Sequence, residues 1–86
     1  MEDIIASAVV RRIVEELDGS VTPDEITPES HLRHDLGLDS LQGVTLIMNV
    51  EEEFGISITD EELAAVRTVG DVVRLIRAKL EEKEAR

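Results

Sequence analysis

Three stretches of this chain repeat apolar residues at a helical interval, and no stretch alternates them long enough to build a sheet. In residues 3–17, Ile5, Val9, Ile13 and Leu17 fall four apart, which aligns them on one helical face. Arg12, Glu15 and Glu16 lie off that stripe, and Asp18-Gly19-Ser20 ends it, with Gly19 suited to a left-handed stop. In residues 40–54, Leu41, Val44, Ile47, Met48 and Phe54 cluster on one broad side of the helical wheel. Gln42, Thr45, Asn49, Glu52 and Glu53 take the opposite side, and Gly55 stops the helix. In the last stretch Val72, Ile76 and Leu80 form the inner stripe. Thr68 caps it, Asp71 sits in its first turn, and Arg74, Arg77 and Lys79 follow, an order that suits the helix dipole.

Between the second and last stretches, "ISITDEEL" offers only two residues of strand-like alternation. Thr59 followed by Glu62 is a capping-box pattern, so a short helix over 60–66 is expected. Residues 18–38 hold both prolines, Pro23 and Pro28, among small polar residues, and read as a long loop. Loops of that length are uncommon unless functional. Val21, Ile26, Leu32 and Leu36 are expected to pin it to the core. The result is an all-α fold: a small antiparallel bundle of three main helices plus one short helix, with a long first loop.

At 86 residues, one domain over 1–86 is expected, with its core in 3–80 and a frayed tail at 81–86. The chain has no cysteine, one Phe, and no Tyr or Trp. Disulfides, thiolate metal sites and thiol nucleophiles are therefore excluded, and the core must be built from Val, Ile, Leu and Met. A reducing, cytoplasmic setting fits. The start, "MEDIIASAVVRR", carries acids where a signal peptide needs bases, and no run approaches the roughly 20 apolar residues of a membrane span. The net charge of −11 disfavours nucleic acid and anionic membranes and favours proteins with basic patches. A monomer is expected.

That charge is segregated. Between Arg33 and Arg67 there is no Lys or Arg, but eight acids: Asp35, Asp39, Glu51, Glu52, Glu53, Asp60, Glu61 and Glu62. A solvated acidic face and a docking surface for basic partners both account for it.

At the entrance to the second helix stands "DLGLDSLQG", Asp35 to Gly43. If Asp39 caps the helix, Ser40 lies in its first turn, where the dipole and free N–H groups favour a phosphate ester. Asp39 itself would repel such a phosphate. A hydrolytic role for Ser40 is poorly supported, because Gly37 and Gly43 lie at the wrong spacing for a nucleophile elbow. His31 and His34 both fall in the loop, and with Asp35 they make too thin a set for a metal site. No calcium loop and no phosphate-binding glycine loop is present.

Three blocks, "DLGLDSL", "EEEFGISITDEEL" and "RTVGDVV", resemble the acyl carrier proteins of dissociated fatty-acid and polyketide synthases. The resemblance covers roughly residues 3–80. It implies that Ser40 carries 4′-phosphopantetheine, transferred from coenzyme A by a magnesium-using holo-carrier synthase. It implies a carrier and substrate of other enzymes, not a catalyst, whose cofactor thiol holds acyl groups as thioesters. It assigns Asp39 and Asp35 to transferase recognition and loop ordering, with Leu41, Gln42, Thr45, Glu52 and Glu53 on the partner-recognition face. Acyl-transferring, ketosynthase or ligase enzymes with basic docking patches are the expected partners. The acyl chain of such carriers folds between the second and third helices; Val44, Met48, Ile58, Leu63 and Val66 are the expected lining.

The chain departs from the family pattern in two places. Acids usually follow the serine closely, in forms such as D-S-L-D with a Glu five positions past it, whereas here those positions are Gln42 and Thr45. A specialised carrier is expected rather than a housekeeping one. Gly43, inside the helix, costs about 1 kcal/mol relative to alanine. Packing or drift explains it more simply than room for the arm. The competing readings are an aminoacyl, D-alanyl or peptidyl carrier, an unmodified acidic helical adaptor and, distantly, a small serine hydrolase.

Overall fold

A computed structural model describes residues 3–84. Among the described residues there are four α-helices, α1 (Ile4–Glu16), α2 (Ser40–Phe54), α3 (Asp60–Ala64) and α4 (Val69–Glu84), with one 3-10 turn at Pro23–Glu25. The helical expectation therefore holds, with α3 two residues shorter than the capping-box reading gave. Among the described residues no helix is long and apolar enough to cross a membrane.

Helix α1 begins where Asp3 caps it, its Oδ1 accepting the Ile5 and Ala6 N–H groups at 3.0 and 3.3 Å. The other oxygen of Asp3 pairs with Arg77 of α4, and that guanidinium holds the carboxyl below its ordinary pKa. One aspartate thus starts α1 and ties it to α4. The helix ends as its sequence requires, with Gly19 left-handed at φ +74°.

The core is aliphatic. Val9 and Ile13 of α1, Leu46 and Val50 of α2, and Val72 and Ile76 of α4 are almost completely buried. Each such side chain contributes about 1.5–3 kcal/mol through removal from water. Helix α1 is the hub and packs on both α2 and α4.

The long loop is held from inside and from its backbone. Ile26 and Leu36 are buried, and Val21 and Leu32 pack partly against the core, as expected; Leu38 and Ser30 are buried as well. Main-chain bonds then dock the loop on the start of α4: Leu32 N–H to the Arg67 carbonyl at 2.9 Å, Val69 N–H to Ser30 at 3.0 Å, and Gly70 N–H to Pro28 at 2.9 Å. At Gly70 a Cβ would stand 3.0 Å from the Pro28 carbonyl oxygen, so only glycine permits this approach without a shift.

Two expectations need correction. Of the α2 side expected to face inward, Ile47 is buried and Phe54 packs partly against the core. Leu41, Val44 and Met48 are instead 75%, 45% and 60% exposed, whereas Leu46 and Val50 are each 1% exposed. Apolar residues occupy most of this helix's circumference, and the position of α1, unknown to a helical wheel, selects the buried part. The true face is turned by roughly a quarter of a turn from the expected one. The tail expected to begin at residue 81 is helical as far as Glu84, the end of α4. Lys83 donates to the Gly55 carbonyl at 3.0 Å, which anchors the last turn to the end of α2. Residues 85–86 lie outside the described residues.

The corrected face has a direct consequence. Leu46→Ala should cost about 2–5 kcal/mol, and Met48→Ala should stay within about 0.5 kcal/mol of the parent. Urea denaturation of the two variants checks this; the reverse ranking would restore the wheel's face.

Candidate functional site

Asp39 initiates α2 through a reciprocal pair of bonds. Its Oδ1 accepts the Gln42 N–H at 2.8 Å, and the Gln42 Oε1 accepts the Asp39 N–H at 3.0 Å. This capping box leaves the Ser40 hydroxyl free of capping. Ser40 is exposed at the first position of the helix. Its Oγ accepts a hydrogen bond from Arg33 Nη2 at 3.2 Å. Among the described residues no histidine bonds it, so the hydroxyl has a cation rather than a base beside it; a guanidinium accepts no proton.

The turn that leads to Ser40 is built from its own side chains. Asp35 Oδ2 accepts the His31 N–H at 2.7 Å, and His31 Nδ1 accepts the N–H groups of Arg33 and His34, both at 3.1 Å. The two imidazole rings lie 4.3 Å apart, tilted by 38°. Gly37, at φ +76°, turns the chain, and the Leu38 N–H returns to the Leu32 carbonyl at 3.0 Å. Asp35 and His31 therefore shape the approach to the serine, and the His31 Nδ1 lone pair is already engaged.

Beside Ser40 opens a groove of about 550 Å³. Leu38, Val44, Leu46, Ile47, Leu63 and Val66 supply its apolar wall, and Arg33, Arg67, His31 and His34 its polar rim. Of the five expected lining residues, Val44, Leu63 and Val66 face the groove. Met48 and Ile58 are not among the residues that line it: Met48 is exposed on α2 and Ile58 is half-buried. The rim arginines were not singled out from sequence. Nothing in the spacing of Arg33 to Ser40 signals the contact, because the intervening turn creates it.

The expected recognition face divides. Leu41 and Glu52 are exposed, and Thr45 is half-buried. Gln42 and Glu53 are committed elsewhere. Gln42 Nε2 reaches the Glu16 carbonyl at 3.4 Å, and Glu53 pairs with Arg11 and Arg12 at 2.7 and 2.9 Å. Hydrogen bonds from Arg11 and Arg12 hold the Glu53 carboxyl below its ordinary pKa. Glu62 is likewise depressed, by Lys79 at 2.8 Å and the Thr59 N–H. Of the eight clustered acids, Asp35, Asp39, Glu51, Glu53 and Glu62 serve internal contacts. Glu52, Asp60 and Glu61 are exposed.

An exposed serine at a capped helix start, set at the mouth of an apolar groove, defines a small helical carrier domain. Its residues fit a phosphate-linked arm: an exposed hydroxyl, the guanidinium bonded to it and a helix N-terminus meet at one point. The family model for the phosphopantetheine attachment site matches residues 8–76. A meromycolate extension acyl carrier protein of Mycobacterium leprae is 48% identical over 82 residues, which cover 95% of this chain and 68% of that one. The Mycolicibacterium smegmatis protein of the same name is 46% identical, with 95% and 79% covered. Among solved structures, a Mycobacterium tuberculosis chain described as a candidate acyl carrier protein superposes with a TM-score of 0.78, at 32% identity over 86% of this chain and 96% of that one. The Thermotoga maritima acyl carrier protein gives 0.71, at 27% identity over 95% and 98%. The chain belongs to the acyl carrier proteins, whose covalent prosthetic group is 4′-phosphopantetheine.

Two measurements follow from this geometry. A Cβ at Gly43 would meet nothing within 4 Å, so Gly43→Ala should raise stability by about 0.5–1 kcal/mol through its helix preference alone; a loss in urea denaturation would reveal a need for the glycine. Glu53→Gln should lose about 0.2–1 kcal/mol at neutral pH. The Glu53 pKa is lower folded than unfolded. Its contribution is therefore present above the unfolded value and disappears as pH falls through the folded one. Parent and variant stabilities should converge below the usual carboxylate range, and a pH-independent gap would contradict the pairing.

Proposed function

We propose that Ser40 is the residue that carries the 4′-phosphopantetheine arm, and that the chain serves as a carrier and substrate rather than a catalyst. The observation that supports this most directly is the Ser40 hydroxyl itself: exposed, released from capping by Asp39, and open to a modifying enzyme. In loading, a bond forms between Ser40 Oγ and a phosphorus of coenzyme A. The pyrophosphate P–O bond breaks, the adenosine bisphosphate departs, and the transferase takes the serine proton. The arm supplies the thiol on which acyl groups ride as thioesters, and a chain without cysteine contributes position and recognition.

The residues around Ser40 divide these tasks. Asp39 and Asp35 present the acids beside the serine that a basic transferase surface meets. Leu41, Val44 and Met48 leave an apolar stripe exposed along α2, and Glu52, Asp60 and Glu61 flank it with uncommitted charge. This is a docking face for acyl-transferring, ketosynthase or ligase enzymes whose patches combine basic and apolar groups. The groove between α2 and the 63–67 segment receives the acyl chain, with Val44, Leu63 and Val66 in its wall. We place the protein in the cytoplasm, as a monomer. The names of its mycobacterial relatives and the neutral start of α2 favour a specialised system that extends long acyl chains.

Incubation with coenzyme A and a broad-specificity phosphopantetheinyl transferase, read by intact mass, tests the assignment. One phosphopantetheine should be gained, and Ser40→Ala should gain none. No gain favours an unmodified adaptor, and gain in Ser40→Ala moves the site. The loaded protein should also be elongated at least tenfold more slowly by a standard type II fatty-acid enzyme set than that set's own carrier. Equal service would remove the specialised assignment, and loading of amino acids by an adenylating ligase would favour an aminoacyl carrier.

A further inference from the structure

Arg33 and Arg67 bound the acidic segment in sequence, and the fold brings both to the rim of the groove beside Ser40. The bond from Leu32 N–H to the Arg67 carbonyl and the antiparallel bridge between His31 and Thr68 hold the two segments together. Of the two, Arg33 is the one whose guanidinium contacts Ser40. Its backbone is fixed on both sides: its N–H bonds His31 Nδ1 at 3.1 Å, and its carbonyl accepts the Gly37 N–H at 3.0 Å.

Most cations of this protein are neutralised: Arg11, Arg12, Arg74, Arg77 and Lys79 are all paired with carboxylates. Among the described residues Arg33, Arg67 and Lys83 have no ion pair, although the chain carries 20 acids against 9 Lys and Arg, and of these three Arg33 is the one that contacts Ser40. The nearby acids point into the backbone instead, Asp35 at the His31 N–H and Asp39 at the Gln42 N–H. A guanidinium without a carboxylate thus lies 3.2 Å from the oxygen to be esterified.

Esterification changes what that guanidinium can bind. The Oγ becomes a bridging ester oxygen and a poor acceptor. One bond further out, two non-bridging oxygens share a negative charge. The planar fork of an arginine suits two such oxygens, and a long side chain reaches them by a small torsional change. Asp39 repels the phosphodiester, and Arg33 offsets that repulsion together with the helix N-terminus.

We propose that Arg33 is a positioning residue that pairs with the phosphodiester of the arm and holds the arm's root at the mouth of the groove. This rests on Ser40 being the attachment site. The test uses holo-protein prepared with coenzyme A and a transferase, its arm verified by intact mass, and phosphorus NMR at low and high salt. In the parent, the phosphodiester resonance should move with salt as the pair is screened. In Arg33→Gln it should start near the parent's high-salt position and move less than half as far. Arg33→Lys, which keeps the charge but not the fork, should fall between them and serves if the glutamine variant does not fold. Arg74→Gln, which removes an equal charge on α4, should behave as the parent. The Arg33 side-chain N–H resonances should also shift between apo and holo forms.

An arm present on Ser40 with identical phosphorus positions and salt responses in parent and Arg33→Gln would overturn the pairing alone. Absence of the arm, or its presence in Ser40→Ala, would overturn the Ser40 assignment and this inference with it.

Discussion

The site depends on a short run of main-chain hydrogen bonds between residues 28–32 and 67–70. The first loop is long and rich in polar residues, and its entropy opposes order. Three bonds to the start of α4, with Ile26, Leu36 and Leu38 buried beneath, hold it in one path. That path delivers Asp39 to the start of α2 and Arg33 to Ser40. Gly70 is part of the same device, since a side chain there would meet the Pro28 carbonyl. The long loop, expected from its apolar residues to be pinned to the core, is the scaffold on which Ser40 is placed.

Helix α2 then serves two surfaces at once. Leu46 and Val50 enter the core, while Leu41, Val44 and Met48 remain at the surface near the serine. Exposed apolar area on a small acidic domain disfavours isolation and favours transient contact with larger enzymes. The acids are less available than their number suggests. Five of the eight between Arg33 and Arg67 cap helices, order turns or pair with basic residues of α1 and α4. Glu52, Asp60 and Glu61 are exposed without such a contact. On the proposed reading, a partner meets these three together with the acids beside Ser40, Asp35 and Asp39, and the exposed apolar side chains of α2.

Some of this is legible from local pattern. The four-residue spacing of Ile5, Val9 and Ile13, the Thr59–Glu62 box, and the stops at Gly19 and Gly55 all act within a few residues of themselves. The structure keeps each of them. The block around Ser40 is legible for the same reason, because Asp39 caps the helix that begins one residue later. The buried face of α2 is not legible locally. Apolar residues span more than half of the helix's circumference, so its wheel has no single answer until α1 is in place. The groove and its arginine rim are hidden more deeply, since residues 31–34 and 63–67 are distant in sequence and meet only on folding.

The sequence by itself determined that this chain is helical, aliphatic in its core and acidic, and that a serine opens its second helix, because propensity, capping and composition are local or additive properties. The tertiary structure decided which apolar residues of α2 are buried, which acids are free, and which cation stands at the serine. Those outcomes depend on the relative placement of segments far apart in the chain, which packing of α1 against α2 and α4, and the docking of the loop on α4, alone establish.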